Sequence, residues 1–316
     1  MSTPRKHHFL PQFYLRGFSV DRGSLFQIVK KSGKYYPSQI KDTAAIRDFH
    51  ELDHEDVRDP NAFEKALAGV EGELAKRLQL LLSDGVGNRE ALSGSVQLLS
   101  QLRMRVPAMK RHIEQSFPSS IRVIAEALER SGKMPTPPEG FEEQLRVKNL
   151  RIEIRNWKCL EIMFNMATDD AHLKPLNSMR ATLLHAPFGS AYITSDQPVS
   201  FFHPTAPDSL CGVGPVTPGV QITFPLSSRA LLRLDNESGE NASRVALSAE
   251  VREFNRRTVL MAQEYIFAAE APEKYLDLIA RNRSICAGFQ FDDFRRGGGL
   301  VQVHRFVAIG PAKCDS

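Results

Sequence analysis

The stretch between Pro60 and Gly85 constrains the fold more than any other part of the chain. Its apolar residues recur every three or four positions, the spacing of one helix face. These residues are Phe63, Leu67, Val70, Leu74, Leu78 and Leu81. The proline before them and the Asp84-Gly85 pair after them are typical start and stop signals. The sequence therefore predicts a long amphipathic helix that packs on a core.

Two further helices are predicted in the first half of the chain. One is indicated by the apolar residues Leu92, Val96, Leu99 and Val106 and is expected to end at Pro107. The other is expected over residues 121–130. Residues 132–140 combine glycine with three prolines, so they predict an exposed connection and a candidate boundary between two parts of the chain.

The second half is expected to mix helices and strands. Residues 141–166 have the periodicity of a long helix, and a further helix is predicted from Ser248 through Thr258. Short strands are predicted at 191–194, 221–224, 231–234 and 301–308. The predicted class is α+β, with a largely helical N-terminal half and a small, mostly antiparallel sheet among the helices of the C-terminal half.

Composition and charge narrow the function only slightly. The formal charge is +4, which permits an anionic partner without requiring one. The start MSTPRKHH lacks the apolar core of a signal peptide, and no uncharged apolar run approaches the ~18 residues of a membrane span. The four cysteines show no paired spacing. A cytoplasmic location without membrane contact is expected.

Five segments, taken in order, resemble one bacterial family. They are HHFLPQFYLRGF, LRMRVP, YITSDQPV, FPLSSRALLRL and VREFNRRTVLMAQEYIFA. Together they resemble the family of domains of unknown function numbered 4238. The resemblance covers His7 to about Ala269 and implies one family-type domain over residues 1–316. It highlights several positions without assigning roles to them: His8, Pro11, Gln12, Arg16, Ser195, Asp196 and Pro198. This chain carries Gln197 where family sequences tend to carry asparagine.

The segment HHFLPQFYLRGF is a candidate anion site. A short helix is predicted from Pro11, and the free N–H groups of a helix start attract anions. His7, Gln12 and Arg16 are then candidate substrate contacts, and His8 is a candidate catalytic acid or base. The alternative is structural: one histidine caps the helix while the aromatic residues anchor the N-terminus.

The segment TSDQPV is the second candidate. It leaves a predicted strand, and the proline holds the preceding residue extended, so Ser195 and Asp196 are expected at the end of a sheet. There Asp196 could act as a general base or bind a divalent metal, with Ser195 as a substrate contact. Alternatively, Asp196 forms only a local turn with the backbone. No cofactor is assigned.

Two weaker patterns complete the set. His50-Glu51-Leu52-Asp53-His54 matches the H-E-x-x-H motif of helical zinc sites, and Glu73 lies at the spacing of a third ligand. The alternative is a solvated, charged segment. Four basic residues recur at helical steps and would form one stripe suited to nucleic acid: Lys148, Arg151, Arg155 and Lys158.

These patterns predict a hydrolase with an anion site that acts on nucleic acid or nucleotides. The partner expected for such a protein is nucleic acid or a phosphate-bearing small molecule. A non-catalytic module that binds nucleic acid or protein is the alternative, and a zinc metallopeptidase is the second alternative. The hydrolase hypothesis requires His8 and Asp196 to converge in one pocket.

Overall fold

The computed structural model describes residues 6–21, 23–205, 212–296 and 299–310. The helices in these ranges are α1 (Gln12–Leu15), α2 (Ala62–Asp84), α3 (Arg89–Met104), α4 (Pro107–Arg130), α5 (Asn156–Thr168), α6 (Asp170–Ser178), α7 (Ser248–Met261) and α8 (Leu276–Asn282). None of them, within the described part of the chain, has the length and apolar character needed to cross a membrane.

The strands up to the middle of the chain are β1 (Lys6–His8), β2 (Ser24–Val29), β3 (Tyr35–Gln39), β4 (Ala45–Arg47), β5 (Arg180–His185), β6 (Thr194–Ser195) and β7 (Ser200–Phe202). They are followed by β8 (Gln221–Ser227), β9 (Ala230–Asp235), β10 (Ala242–Val245), β11 (Tyr265–Ala268), β12 (Gly288–Arg296) and β13 (Gly299–Val307). The mixture confirms the α+β class.

The strands form several small sheets. One has five strands in the order β10-β5-β9-β8-β7, and another has four in the order β3-β2-β11-β6. Within these two sheets, as far as the structure describes them, the strand pairs are antiparallel except β10 with β5. Because β11 pairs with both β2 and β6, the four-stranded sheet joins the two halves of the chain. The largest apolar cluster of the described residues runs from Phe9 to Ile309, and two smaller clusters form around Ile266 and around Tyr192.

The long helix predicted after Pro60 is confirmed as α2. Its buried face is Leu67, Leu74, Leu78 and Leu81. The prediction for the third helix was too short, because α4 already begins at Pro107. Proline is well tolerated in the first turn of a helix, where its missing N–H has no partner to lose. Pro107 therefore separates two helices by starting the second.

The long helix predicted over 141–166 was wrong. Arg122 of α4 donates to the carbonyls of Val147 and Leu150 at 2.9 and 2.7 Å, which holds turns and the short 3-10 helix Val147–Asn149 against α4. An α-helix starts only at Asn156. The backbone N–H groups of Asn156 and Trp157 donate to the Asp53 carboxylate there, at 3.1 and 2.7 Å. A distant side chain thus fixes the start of α5.

Candidate functional site

The N-terminal motif is fastened to the five-stranded sheet. Tyr14 is fully buried, and its hydroxyl donates to the carbonyl of Pro225 on β8 at 2.9 Å. The N–H of Ser228 donates to the carbonyl of Gly17 at 2.8 Å. A Cβ atom at position 17 would lie 2.9 Å from the carbonyl oxygen of Leu226, so only glycine fits. This part of the motif is structural.

The predicted anion site at the start of α1 is not formed as expected. The helix has four residues, too few to build an appreciable dipole, and His7 and His8 lie in strand β1. Arg16 is exposed, and Gln12 is half-buried in the first position of α1. The His8 ring packs against the backbone of Ile40 and Lys41, and burial lowers the pKa of His8.

The two predicted motifs do meet, but through other residues. The hydroxyl groups of Tyr14 and Thr194 lie 2.7 Å apart in the core. Ser195 is buried and forms hydrogen bonds with the backbone of Gln197, donating at 2.9 Å and accepting at 3.2 Å. The contact between the motifs is therefore a core contact, and the hydroxyl of Ser195 holds a turn.

Asp196 clamps the connection between α7 and β11. Its Oδ1 accepts the N–H of Gln263 at 2.9 Å, and its Oδ2 accepts those of Glu264 and Tyr265 at 2.7 and 3.1 Å. Burial raises the pKa of Asp196, while the three backbone donors act in the opposite direction. Both oxygens are thus occupied by the chain itself. Asp196 therefore binds backbone N–H groups, as in the alternative in which it only forms a turn. The N–H groups that it binds are, however, far away in sequence.

The helical zinc site is absent. Residues 50–54 form a turn and an extended segment, and Asn156 Nδ2 donates to the carbonyl of Glu51 at 2.6 Å. His54 packs edge-on against Trp157, and Glu73 is exposed beside Lys76. The residues of the motif cap and pack α5, so a helix could not form there without losing these contacts. His50, His54 and Glu73 are not brought together.

His50 instead belongs to a buried cluster with His7 and Glu64. Ligand atoms of these three side chains lie within 4.8 Å of one another. His50 Nδ1 is 2.5 Å from Glu64 Oε2, and the two imidazole rings stack with centroids 5.6 Å apart. Burial lowers the pKa of His50 to about 4. Burial alone would raise the pKa of Glu64, but the bond to His50 holds it below its usual value.

The hydrogen bonds of His7 argue against a metal in this cluster. His7 Nδ1 accepts the backbone N–H of His50 at 2.8 Å, so the ring proton must reside on Nε2. Nε2 then donates to Oδ1 of Asn61 at 3.1 Å. A metal-bound histidine turns its bare nitrogen to the metal and donates from the other nitrogen, but the bare Nδ1 of His7 is already occupied by the N–H of His50. The donor set does not fit a metal through His7.

The predicted basic stripe is dispersed. Lys148 lies in a short 3-10 turn beside Glu143, Arg151 pairs with Glu153, and Arg155 precedes α5. On α5 itself, Lys158 pairs with Glu161 at 2.6 Å. Without a common helix the four side chains share no face, and acidic partners neutralise three of them.

A concave pocket lies between the first turns of α4 and the segments around Gln197 and Gln263. Its volume is about 240 Å³, and its walls are Ala108, Arg111, His112, Gln115, Gln197, Gln263 and Ala287. We term it the amide pocket, after its three glutamines. The helix start above it has no side-chain cap, since Val106 precedes Pro107. Ala108 lies in the first turn of this 24-residue helix and lines the pocket, so the positive end of the helix is adjacent to it.

Two groups in the amide pocket are unpaired among the described residues. Arg111 is exposed and forms no ion pair with them. Gln197 is 5 % exposed, and its Oε1 accepts from Gln263 Nε2 at 3.2 Å. Its own Nε2 finds no acceptor in the described ranges. A guanidinium and an amide N–H are thus both available to one ligand.

A second pocket of about 350 Å³ adjoins the first and shares Ala108, Arg111 and Gln263 with it. Its other walls include the carboxylates of Asp42, Asp196 and Glu264. Asp42 is neutralised by Lys6 at 2.6 Å, whereas Glu264 is exposed. Phe9 lines this pocket, but His8 is absent from the described walls of both pockets. His8 and Asp196 therefore share neither pocket.

The match to a family model covers residues 6–272, and the model describes proteins of unknown function under the name DUF4238. The chain belongs to the DUF4238 family. No curated protein and no solved structure matches it. Family membership therefore confirms the resemblance of the five segments and leaves the activity to be inferred from the site.

Sequence reasoning missed most of the residues around the pockets. Arg111, Gln263 and Glu64 belong to none of the motifs that the sequence singles out. The departure at Gln197 from the family asparagine was the one available signal. Its amide now lies in the pocket that Arg111 also lines.

Proposed function

We propose that this DUF4238 protein binds a phosphate-bearing small molecule in the amide pocket. The observation that carries the proposal is that Arg111 and Gln197 Nε2 line one pocket and both lack partners among the described residues. An arginine can donate two parallel hydrogen bonds to a phosphate, and an amide N–H can add a third. The uncapped start of α4 favours a negative charge at the same place.

A small molecule is favoured over nucleic acid by shape and charge. The amide pocket and its neighbour are concave and measure about 240 and 350 Å³, within the range of small-ligand sites when taken together. The other candidate cations for a nucleic-acid surface are mostly paired with acids, as Lys148 is with Glu143. The glutamine amides add donors and acceptors that suit the polar edge of a nucleobase.

Binding without catalysis is favoured over hydrolysis. The hydrolytic hypothesis assigns acid and base roles to His8 and Asp196, yet both Asp196 oxygens already accept backbone N–H groups. His8 lies apart from the described walls of the pockets. The non-catalytic alternative thus agrees better with this geometry than the hydrolase hypothesis does. We propose a phosphate-bearing small molecule as the ligand of this binding protein.

Calorimetric titration with inorganic phosphate and with a nucleoside monophosphate tests this proposal. We expect Arg111→Gln to weaken binding about tenfold, because one charged hydrogen-bonding group contributes on the order of 1.4 kcal/mol or more. Arg252→Gln is the matched control, since Arg252 is exposed on α7 and lines neither pocket. Equal affinities for wild type and Arg111→Gln, or no binding of either ligand at millimolar concentration, would overturn the proposal.

A further inference from the structure

A third, smaller cavity lies among α2, α3 and α5. Its volume is about 20 Å³, and its apolar walls are Phe63, Leu67, Leu160, Met163, Phe164 and Ala167. Three polar side chains complete the lining: His50, Gln101 and Arg105. We term this cavity the histidine recess. It is separate from the amide pocket, with which it shares no lining residue.

Each of the three polar side chains has a buried atom without a hydrogen-bond partner. These atoms are Nε2 of His50, Nε2 of Gln101 and Nε of Arg105; Nη1 of Arg105 also lacks a hydrogen bond but forms an ion pair with Glu71 at 2.6 Å. The side chains are 0 %, 4 % and 6 % exposed, respectively. A buried polar atom left unpaired costs about 1–3 kcal/mol, so three in one cavity indicate a missing partner.

The remaining contacts of these side chains fix which atoms donate and which accept. The Nδ1–H of His50 donates to Glu64, which leaves Nε2 as a bare acceptor when the ring is neutral. Nη2 of Arg105 donates to the carbonyl of His8 at 2.6 Å, and Nη1 lies 2.6 Å from Glu71. The Nε–H of Arg105 and an N–H of Gln101 remain as donors. The recess thus offers two donors and one acceptor.

We propose that the histidine recess binds a single hydroxyl group, supplied by water or by an alcohol or phenol. A hydroxyl has two lone pairs and one proton, which matches two donors and one acceptor. A cation in the recess would be repelled by the guanidinium of Arg105. An anion would be repelled by the lone pair of His50 and by the Glu64 carboxylate bonded to that ring. A neutral hydroxyl satisfies all three orphan atoms.

The size of the histidine recess helps to distinguish water from a larger ligand as the source of the hydroxyl. A volume of about 20 Å³ holds one water molecule. Phe164 is 38 % exposed and its ring meets Phe63 edge-on, with centroids 6.0 Å apart. If the Phe164 side chain turns outward, the aromatic ring of a phenol can replace the Phe164 ring against Phe63. The hydroxyl of the phenol then reaches His50. Phenol is therefore the probe for a ligand source.

The first arm of the test is thermal. In Gln101→Leu the hydroxyl loses one donor, so we expect a lower melting temperature than in wild type. If the recess were dry, removing an unpaired buried N–H would raise the melting temperature instead, which would overturn the proposal. Gln144→Leu is the control, because Gln144 is exposed in the segment after the 132–140 connection. It should leave the melting temperature unchanged.

The second arm distinguishes the two sources. The methyl resonance of Met163 is followed by NMR while phenol, and separately toluene, is added to the full chain. A shift with phenol that toluene does not produce, and that Gln101→Leu weakens severalfold, supports a ligand hydroxyl. No shift with either, combined with a crystallographic water bonded to His50 Nε2, supports water alone. An empty recess with equal responses to phenol and toluene contradicts both.

Discussion

The hydroxyl of Tyr14 lies 2.7 Å from that of Thr194, although 180 positions separate the two residues. The same Tyr14 hydroxyl donates to the carbonyl of Pro225. The contact joins the N-terminal motif to the TSDQPV motif and to β8 at one buried point. It follows that the two motifs meet in the core through Tyr14 and Thr194, whereas Phe9, Asp196 and Gln197 of the same motifs line the pockets.

Removing the Tyr14 hydroxyl tests this structural role. Tyr14→Phe leaves the Pro225 carbonyl and the Thr194 hydroxyl without their partner in a fully buried place. We expect the free energy of unfolding to fall by about 1–3 kcal/mol, measured by urea titration. Tyr36→Phe removes an exposed hydroxyl that accepts from Gln27 and should have little effect. Equal stability of Tyr14→Phe and wild type would refute the role.

A second substitution tests the clamp made by Asp196. An asparagine keeps one carbonyl oxygen and places an NH₂ group among the N–H donors of Gln263, Glu264 and Tyr265. We expect Asp196→Asn to cost on the order of 2–3 kcal/mol of unfolding free energy, since bonds to a charged acceptor are strong. The measurement is urea unfolding followed by circular dichroism.

Asp21 provides the matched control for that experiment. Its carboxylate also accepts backbone N–H groups, from Gly23 and Ser24, but it is exposed. Asp21→Asn should therefore be much less destabilising than Asp196→Asn. If both variants lose the same stability, burial is not what makes the Asp196 clamp important.

The His50–Glu64 pair predicts a pH dependence of stability. Burial lowers the pKa of His50 from 6.5 to about 4, so between these values the unfolded chain binds a proton that the folded chain does not. Stability therefore falls as the pH falls, by up to about 1.4 kcal/mol per pH unit from this residue. The pKa of Glu64 is also lowered, so its own contribution is lost only below about pH 4.5.

Urea unfolding of wild type and His50→Gln at pH 6.5, 5.5 and 5.0 measures this effect. The difference in unfolding free energy between the two proteins should shrink by roughly 2 kcal/mol at most across that window, because the variant has no group to protonate at position 50. Parallel pH profiles for the two proteins would show that His50 titrates normally in the folded state.

The sequence predicts the elements whose signals are local. The apolar spacing from Leu67 to Leu81 is sufficient for α2, because a helix buries one face at a fixed period. The hairpin of β2 and β3 has a signal of the same local kind, because the turn residues Ser32 and Gly33 lie between the two strands. The helix expected over 141–166 does not form over its whole length, because Arg122 and Asp53, which are distant in sequence, fix the conformation of this segment. Such contacts have no local signature.

The candidate site shows the same limit. His50 could be singled out from a five-residue pattern, but its partner Glu64 becomes apparent only when α2 packs beside it. Arg111, Gln197 and Gln263 come from three separate segments, and no spacing rule connects them. The sequence could predict that Asp196 accepts backbone N–H groups, since turns at strand ends often use aspartate in this way. Its three distant donors were not.

The most direct test of phosphate binding in the amide pocket is an ¹⁵N-edited NMR titration of the full chain with inorganic phosphate. We predict the largest shift changes at the backbone N–H of Ala108 and at the side-chain amide of Gln197, and their loss in Arg111→Gln. These groups flank Arg111 in the pocket. Saturable shifts confined to other residues, or shifts at these two groups that survive Arg111→Gln, would contradict the assignment.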